Sequence, residues 1–233
     1  MLFDELKHGI DEFYKRLKVD NPFFSKAMDG TLAPEQLSVF LDNLAMVMEG
    51  NIVNTRFAEE ESRKRGLTNL AEYFRKKYDE EHGHIAWAND DASVLRGWSP
   101  NSALKVDSVR AAQNARNWVE YNRTNIKKDP ALFLVHIIFG EYFTVLSGPE
   151  FTKSVMERCG IPKKALRNLV HHMEIDKDHV FEFGEELEGL IDSKVYHKTF
   201  HVVLNRSMRL YSDFCTAVGS CRSEEEQSYE RAS

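Results

Sequence analysis

The chain has 233 residues, of which 42% are hydrophobic and 29% charged, and its formal net charge at pH 7 is −6. This composition predicts a globule with a buried core. The mild acidity argues against a nucleic-acid partner, because phosphate neutralisation needs clustered Lys and Arg. The short pairs Lys76-Lys77 and Lys163-Lys164 are interpreted as solvated helix faces.

The pattern of apolar residues and cysteines bears on the cellular compartment. No apolar run approaches the roughly 20 residues that a membrane span needs, and the acidic N-terminus lacks the features of a signal peptide. We therefore expect a cytoplasmic protein with no membrane partner. The cysteines, Cys159, Cys215 and Cys221, show no metal-ligand spacing, so we expect free thiols.

Helical periodicity runs through almost the whole chain. Apolar residues at helical spacing predict helices over residues 2–18, 34–63, 68–95, 102–125, 129–147, 162–190 and 194–219, with a short helix ending near Cys159. No segment alternates usefully with period two. We predict an all-α fold, with one domain over residues 1–222 and a polar, disordered tail over residues 223–233.

The strongest chemical signal lies in the helix predicted over residues 162–190. His172, Asp176 and His179 stand at i, i+4 and i+7, which places them in one stripe roughly 60° wide. Two imidazoles and a carboxylate form a ligand set that suits iron or manganese better than calcium. The alternative is the polar outer face of a highly charged helix.

A second signal lies near the middle of the helix predicted over residues 68–95. Glu81 and His84 are three residues apart and share a helix face, as in the Glu-x-x-His pairs of carboxylate-bridged di-iron bundles. Glu80 precedes His84 by four residues, so geometry does not choose between the two glutamates. Tyr78 and Ile85 on the same side favour a buried position over a solvated one.

Two further carboxylates lie alone within apolar helical segments. Glu141 follows and precedes almost uninterrupted apolar sequence, and Glu49 has a similar setting. A buried carboxylate is costly unless it is paired or bound to a metal ion. The alternative for each is a position at a helix edge or a pairing with an Arg.

Together these signals supply four carboxylates and three imidazoles from four helices. The candidate metal ligands are Glu49, Glu81, His84, Glu141, His172, Asp176 and His179. Two ferrous ions bridged by carboxylates need about this number of ligands, and four carboxylates offset four positive charges.

These residues resemble the ligand pattern of the heme-oxygenase-like di-iron oxidases and oxygenases. The segments Asn21-Pro22-Phe23-Phe24 and Gly30-Thr31-Leu32 also look like this superfamily, and the resemblance covers nearly the whole chain to about residue 219. It implies a seven-helix bundle without heme that holds two Fe(2+) ions. It also implies a bridge by Glu81 or Glu141, with one iron favoured by His84 and His172 and the other by Asp176 and His179.

The resemblance further implies that O2 is a co-substrate, which gives a peroxo-di-iron(III) species, and that the substrate is a small, amino-acid-like molecule. Members of the family include N-oxygenases, fatty-acid decarboxylases and an enzyme that converts a brominated tryptophan into an indole nitrile. The length and ligand spacing of this chain are compatible with the nitrile-forming member. We expect a tryptophan-like substrate and, by the common default, a homodimer.

Residues beside the ligands, or one helical turn away, are candidates to line a substrate cavity, although ordinary core packing is the alternative for each. They are Met48, Ile52, Tyr78, Ile85, Ile138 and Val145. A substrate carboxylate would need a cation, for which Arg206 in the last predicted helix is a candidate.

Other functions compete with this one. A heme oxygenase would use an early proximal histidine, for which His8 is available, but it would leave the motif at 172–179 unexplained. A ferritin-like enzyme would show a second Glu-x-x-His pair. A thiaminase-like hydrolase would need a nucleophilic cysteine in a central helix. A non-catalytic metal-binding protein or a helical scaffold also remains open.

Overall fold

The computed structural model describes residues 1–98, 104–105, 108–220 and 222–223. Within these ranges the chain forms nine α-helices: α1 (Leu2–Asp20), α2 (Pro22–Asp29), α3 (Pro34–Lys64), α4 (Thr68–Glu81), α5 (Ile85–Trp98), α6 (Ser108–Lys128), α7 (Phe133–Glu157), α8 (Arg167–Leu190) and α9 (Ser193–Gly219). Short 3-10 turns at Pro130–Leu132 and Lys163–Ala165 precede α7 and α8. The all-α class predicted from the sequence is confirmed.

Two short strands are additions to the predicted helices. β1 (Leu104–Lys105) and β2 (Arg222–Ser223) pair antiparallel, with Leu104 opposite Ser223. Arg222, the last residue of the predicted domain, and Ser223, the first residue of the predicted tail, therefore take part in this pair. Cys221 and the rest of the predicted tail, residues 224–233, lie outside the described part of the chain. Cys159 and Cys215 are free thiols, as expected.

Three predicted helix boundaries were wrong. The helix predicted over residues 102–125 begins only at Ser108, because Leu104 and Lys105 pair with β2. The segment predicted as one helix over 68–95 is divided into α4 and α5 by a turn at His82, Gly83 and His84. Conversely, α7 continues through Pro149, where the sequence predicted an end. Proline removes one backbone hydrogen bond from a helix interior, but Phe143 and Phe151 on either side of it are buried in the core, and this tertiary packing outweighs the local preference.

The short helix α2 is a further element that the periodicity did not predict. The Asn21 side chain accepts a hydrogen bond from the Phe23 amide and so caps the helix, and its amide group donates to the Ser212 carbonyl and Thr216 hydroxyl of α9. Gly30 ends α2 with φ +90°, a left-handed conformation that glycine adopts without strain. The helix is thereby fixed against α9.

Helix α7 lies at the centre of the bundle. Its apolar residues are buried almost all round, and they contact an aromatic cluster formed by Phe13, Phe24, Phe139, Phe143 and Tyr211. The segment Pro130–Glu157 is long and apolar enough to cross a membrane, with a mean hydropathy of 1.6. However, 61% of its most apolar window is buried inside the bundle, which is typical of the central helix of a globular protein.

Packing around α7 brings the chemically marked helices together. Helix α3 packs against α4, α5 and α6, and α8 packs against α7 and contacts α4 and α5. The end of α4, the middle of α7 and the first half of α8 therefore meet on one side of the bundle, next to α3.

Candidate metal centre

Glu81 lies between two groups of potential metal ligands. Its Oε2 atom is 2.9 Å from His84 Nδ1 and 3.8 Å from His172 Nε2, and its Oε1 atom is 3.7 Å from His179 Nδ1. We name the two sets the His84 group (Glu81, His84 and His172) and the His179 group (Glu81, Asp176 and His179); within each, one ligand atom per residue lies within 4.8 Å of the others. The Glu81 carboxylate is thus shared by both groups.

Local structure explains how these side chains converge. Glu81 is the last residue of α4, and the turn that follows carries His84, whose backbone amide donates to the Glu81 carbonyl. His172, Asp176 and His179 share one face of α8, which points toward that turn. The ligand pattern read from the sequence is therefore brought together by the contact between the C-terminal end of α4 and the first half of α8.

The orientation of His172 is set by its own helix. Its Nδ1 atom lies 2.9 Å from the Asn168 carbonyl oxygen one turn earlier, and the nitrogen there must donate, because a carbonyl only accepts. The lone pair is then on Nε2, the atom that faces Glu81. Metal-binding histidines commonly have their tautomer fixed in this way.

Helix α7 adds Glu141 to the His179 group. Glu141 is buried, and its Oε1 atom lies 3.6 Å from His179 Nδ1. The same oxygen is 3.0 Å from the Nζ atom of Lys77, which also lies 3.3 Å from Glu80 Oε2. Lys77 has an exposed fraction of only 4%. Its interpretation as part of a solvated helix face was wrong, because it stands four residues before Glu81 and shares the inward face of α4.

Glu49 lies apart from these residues. It is exposed on α3, at about 130° around the helix from the centre of the stripe that faces the site. Glu49, which the sequence predicted as a metal ligand, therefore lies outside the ligand set. Glu80, which the sequence left as an alternative to Glu81, supplies a fourth carboxylate: its Oε2 atom is 3.7 Å from His179 Nε2.

Burial and charge act in opposite directions on the ionisable groups of the site. Burial raises the pKa of Glu141 to about 7, against the opposing effect of Lys77, and burial likewise raises the pKa of Asp176. Burial also opposes charge on Glu81, but the neighbouring His172 and His84 rings outweigh burial, so the pKa of Glu81 is lowered. Burial opposes charge on His172 as well, but its contact with Glu81 raises the pKa.

The residues present fit two metal ions. Ligand atoms about 2.1 Å from one ion lie roughly 3.0–3.4 Å apart in octahedral or tetrahedral geometry, close to the separations of 2.9–3.8 Å in the two groups. Four buried atoms here have no hydrogen-bond partner: Glu80 Oε2, Glu141 Oε2, His179 Nδ1 and Lys77 Nζ. Buried polar atoms without partners are costly. Coordination would satisfy the first three, whereas Lys77 has only its ion pairs with Glu141 and Glu80.

An apolar cavity of about 200 Å³ adjoins the centre. Its wall includes Glu81, Glu141, His172 and Asp176 at one end. The remaining wall is mostly apolar and is supplied by α3, α6, α7 and α8, with Leu44, Val47, Met48, Ile52, Trp118, Phe133, Ile137 and Leu169 among its residues. A second cavity of about 100 Å³ shares five wall residues with the first and is lined largely by phenylalanines.

The predicted substrate-binding residues divide into two sets. Met48 and Ile52 line the larger cavity. The others, Tyr78, Ile85, Ile138, Val145 and Arg206, are absent from the walls of both cavities. On α7 the cavity is lined by Ile137 and Thr144, the immediate neighbours of Ile138 and Val145, because a shift of one residue turns a side chain by about 100°. Arg206 is exposed on α9.

Several residues of the cavity wall were missed by sequence reasoning. His136 on α7 is buried between Phe133 and Trp118, and burial lowers its pKa to about 3, so it is neutral. Asn51 and Asn168 supply amide groups. The one available signal was position: each lies a helical turn or two from a residue that the sequence marked, such as Glu141 or His172.

A further cluster of potential ligands lies at the surface, away from the centre. Glu5 Oε2 is 2.7 Å from His197 Nε2 and 3.2 Å from His201 Nε2. All three side chains are substantially exposed, between 34% and 48%. This cluster matters for any metal titration, since it offers the protein a second place to bind a divalent ion.

Comparison with known proteins identifies the fold. The chain matches no family model, and no curated protein is similar to it in sequence. A solved domain of unknown function with a heme oxygenase-like fold, from Shewanella denitrificans OS217, is similar in structure, with a TM-score of 0.73 at 14% identity over 99% of this chain and 95% of that chain.

This chain has a heme oxygenase-like fold. The identity is too low to carry an activity with it, and the function of that domain is itself unknown. The expected bundle is confirmed as a fold. The expected seven helices correspond to the helices of the described ranges when α4 and α5 are taken together and the short α2 is left out.

Proposed function

We propose that this protein is a non-heme, iron-dependent oxidase or oxygenase that binds two Fe(2+) ions and uses O2 to oxidise a small amino-acid-like substrate. The observation that carries the proposal is the Glu81 carboxylate, which presents one oxygen to each of two histidine-containing groups beside an apolar cavity. Imidazole nitrogens together with carboxylate oxygens suit iron or manganese better than calcium, and two positions linked by a carboxylate are typical of di-iron bundles. Two bound Fe(2+) ions would supply the electrons that activate O2.

The protein residues hold and orient the centre. Glu81 would bridge the two positions, with His84 and His172 at one and Asp176 and His179 at the other. Glu141, and Glu80 in place of the expected Glu49, would complete the carboxylates near His179. The Asn168 carbonyl holds the His172 ring in the tautomer that presents Nε2.

The cavity supports a substrate with an apolar or aromatic body and one anionic end. Its wall is mostly apolar, and the substrate end near the ligands would be polar. Two histidines also line it, but burial keeps His136 neutral and His172 would hold a metal ion, so Lys77 is the cation left for a substrate among the described lining residues. A carboxylate on the substrate would pair with Lys77, the role that the sequence had suggested for Arg206.

A tryptophan-like amino acid, including a brominated one that would give an indole nitrile, stays a prediction. One observation favours a second candidate, a fatty acid that is decarboxylated. The smaller, phenylalanine-lined cavity shares Leu44, Trp118 and Leu169, among others, with the larger one. A single ligand that occupied both would be elongated and apolar, as an alkyl chain is.

The other candidate functions have less support. A cysteine-dependent hydrolase needs a reactive thiolate, but Cys159 and Cys215 do not line either cavity, and burial raises the pKa of both thiols. A heme oxygenase with His8 as ligand would need that side chain to face a buried pocket, and it is exposed. N-oxygenation by the same centre differs only in the atom that is oxidised.

The test is an anaerobic titration of metal-free protein with Fe(2+), followed by exposure to O2 with tryptophan, 5-bromotryptophan or dodecanoate. We expect two irons per chain at the centre and O2 consumption that one of the acids accelerates at least about tenfold. Mass spectrometry of the product then identifies the bond that changes.

Controls separate the centre from the surface cluster. The titration is repeated on His197→Ala, which removes the surface group and should leave the O2 reaction unchanged. Absence of iron uptake would contradict the proposal. If the protein bound iron but none of the three acids changed the rate of O2 consumption, it would be a metal-binding protein without the proposed activity.

A further inference from the structure

Lys77 lies where a cation would otherwise be expected. Its ammonium group is 3.0 Å from Glu141 Oε1 and 3.3 Å from Glu80 Oε2. Both of these carboxylates also approach His179, at 3.6 Å and 3.7 Å. The lysine therefore shares two carboxylates with the His179 group, and it has an exposed fraction of 4%.

The His84 group has no such competitor. Glu81 Oε2 faces the His84 and His172 rings, at 2.9 Å and 3.8 Å, and both of these rings are potential metal ligands. The two groups thus share Glu81 but differ in what neutralises their carboxylates before a metal ion arrives.

We propose that the Lys77 ammonium competes with the metal ion of the His179 group, so that the His84 group loads first and the His179 group only when Lys77 moves away. This inference rests on the proposed metal centre and extends it to the order of loading. Lys77 and a divalent ion cannot both hold Glu141 and Glu80 without strong repulsion at this distance and burial.

The side chain has a place to which it can move. Lys77 lines the apolar cavity as well as the ion-pair cluster, and its four-carbon stem is flexible. A carboxylate in the cavity would offer the ammonium group a new partner. Binding of an acid in the cavity would therefore favour metal binding in the His179 group, and by linkage the metal would favour the acid.

The test is titration with Co(2+), followed by its visible absorption and by calorimetry, with no substrate or O2 present. All proteins carry His197→Ala, so that the surface cluster does not contribute. In the protein that retains Lys77, we expect one Co(2+) to bind tightly and a second to bind at least about tenfold more weakly, which corresponds to about 1.4 kcal/mol.

Two variants remove the charge. Lys77→Met removes it outright, and Lys77→Gln keeps hydrogen-bond donors for the carboxylates if the methionine variant does not fold. We expect the dissociation constant of the second Co(2+) to fall about tenfold or more in either. Lys64→Met, which removes one charge from the exposed end of α3, is the matched control and should change neither constant.

The outcomes distinguish this inference from the proposed function. Two equally tight ions in the parent, or an unchanged second constant in both Lys77 variants, would overturn the role of Lys77 and leave the metal centre intact. No Co(2+) bound by any variant would overturn both. Competition at Lys77 without O2 chemistry would support the inference and contradict the proposed oxidase.

Discussion

The two oxygens of the Glu81 carboxylate have different surroundings. One faces His84 and His172 and the other faces His179, whereas Glu49 on α3 faces solvent. Glu81 and Glu49, which the sequence proposes together as metal ligands, therefore have different expected roles, and substitution separates them.

We expect His172→Ala to weaken binding of the first metal ion by more than about 100-fold, because loss of a direct ligand costs more than loss of an outer-shell partner, which typically costs 10–100-fold. The helical circular dichroism should stay near that of the wild type, since the change removes a ligand and little core volume. Calorimetric titration measures the affinity.

Glu49→Gln is the control for this prediction, since it changes an acid that the sequence proposed and the structure places outside the centre. It should bind metal as the wild type does. Equal losses in the two variants would mean that both effects come from the stability of the bundle rather than from coordination.

His136 makes a separate prediction about acid stability. Its pKa is about 3 in the folded chain, below the value of 6.5 expected when unfolded. Between these values the unfolded state binds a proton that the folded state does not. Each unit by which the pH is lowered therefore reduces the free energy of unfolding by about 1.4 kcal/mol through this group. The loss begins as the pH falls below about 6.5 and stops near 3.

His136→Phe should remove this contribution, because the ring then has no proton to gain. Urea unfolding of metal-free protein at pH 7 and pH 5 measures it, and we expect the wild type to lose about 1–2 kcal/mol more than the variant over that interval. Parallel losses in the two proteins would place the acid sensitivity elsewhere.

At the scale of elements, helix α5 supports the ligand-bearing helix α8. Asp91 on α5 is fully buried, and its Oδ2 atom accepts a hydrogen bond of 2.7 Å from the backbone N–H of Asn168 in the first turn of α8. The carbonyl of that same Asn168 holds the His172 ring. A side chain outside α8 thus caps the helix and positions one of the ligands.

We expect Asp91→Ala to lower the free energy of unfolding by about 1–2 kcal/mol through loss of the cap. Metal affinity should fall about tenfold, because the turn that orients His172 loses its anchor. The matched control is Asp90→Ala, whose side chain is 59% exposed and should change stability by less than about 0.5 kcal/mol. Similar effects of both variants would contradict a capping role.

The elements also show what the sequence could and could not predict. The spacing of His172, Asp176 and His179 fixes a shared face, because a helix repeats every 3.6 residues. Spacing cannot tell which face a neighbouring helix covers, so Glu49 was placed inward and Lys77 outward. The turn between α4 and α5 and the passage of α7 through Pro149 depend on tertiary packing, which local periodicity does not contain.

At the scale of the whole molecule, the fold sets the place of the candidate site. The heme oxygenase-like arrangement brings α4, α7 and α8 together beside a cavity that α3 and α6 help to close. Helical content and the all-α class follow from composition and periodicity. The second cavity and the burial of Lys77 follow from contacts between helices that are distant in sequence, which a single sequence does not specify.

The most direct test of the central claim is a crystal structure of protein loaded anaerobically with Fe(2+), with anomalous scattering recorded at the iron edge. We predict two anomalous peaks roughly 3.5–4 Å apart, as in two-metal sites generally. One should lie among Glu81, His84 and His172, and the other between Glu81 and His179. No anomalous peak beside Glu81, with or without one at Glu5, His197 and His201, would contradict the account.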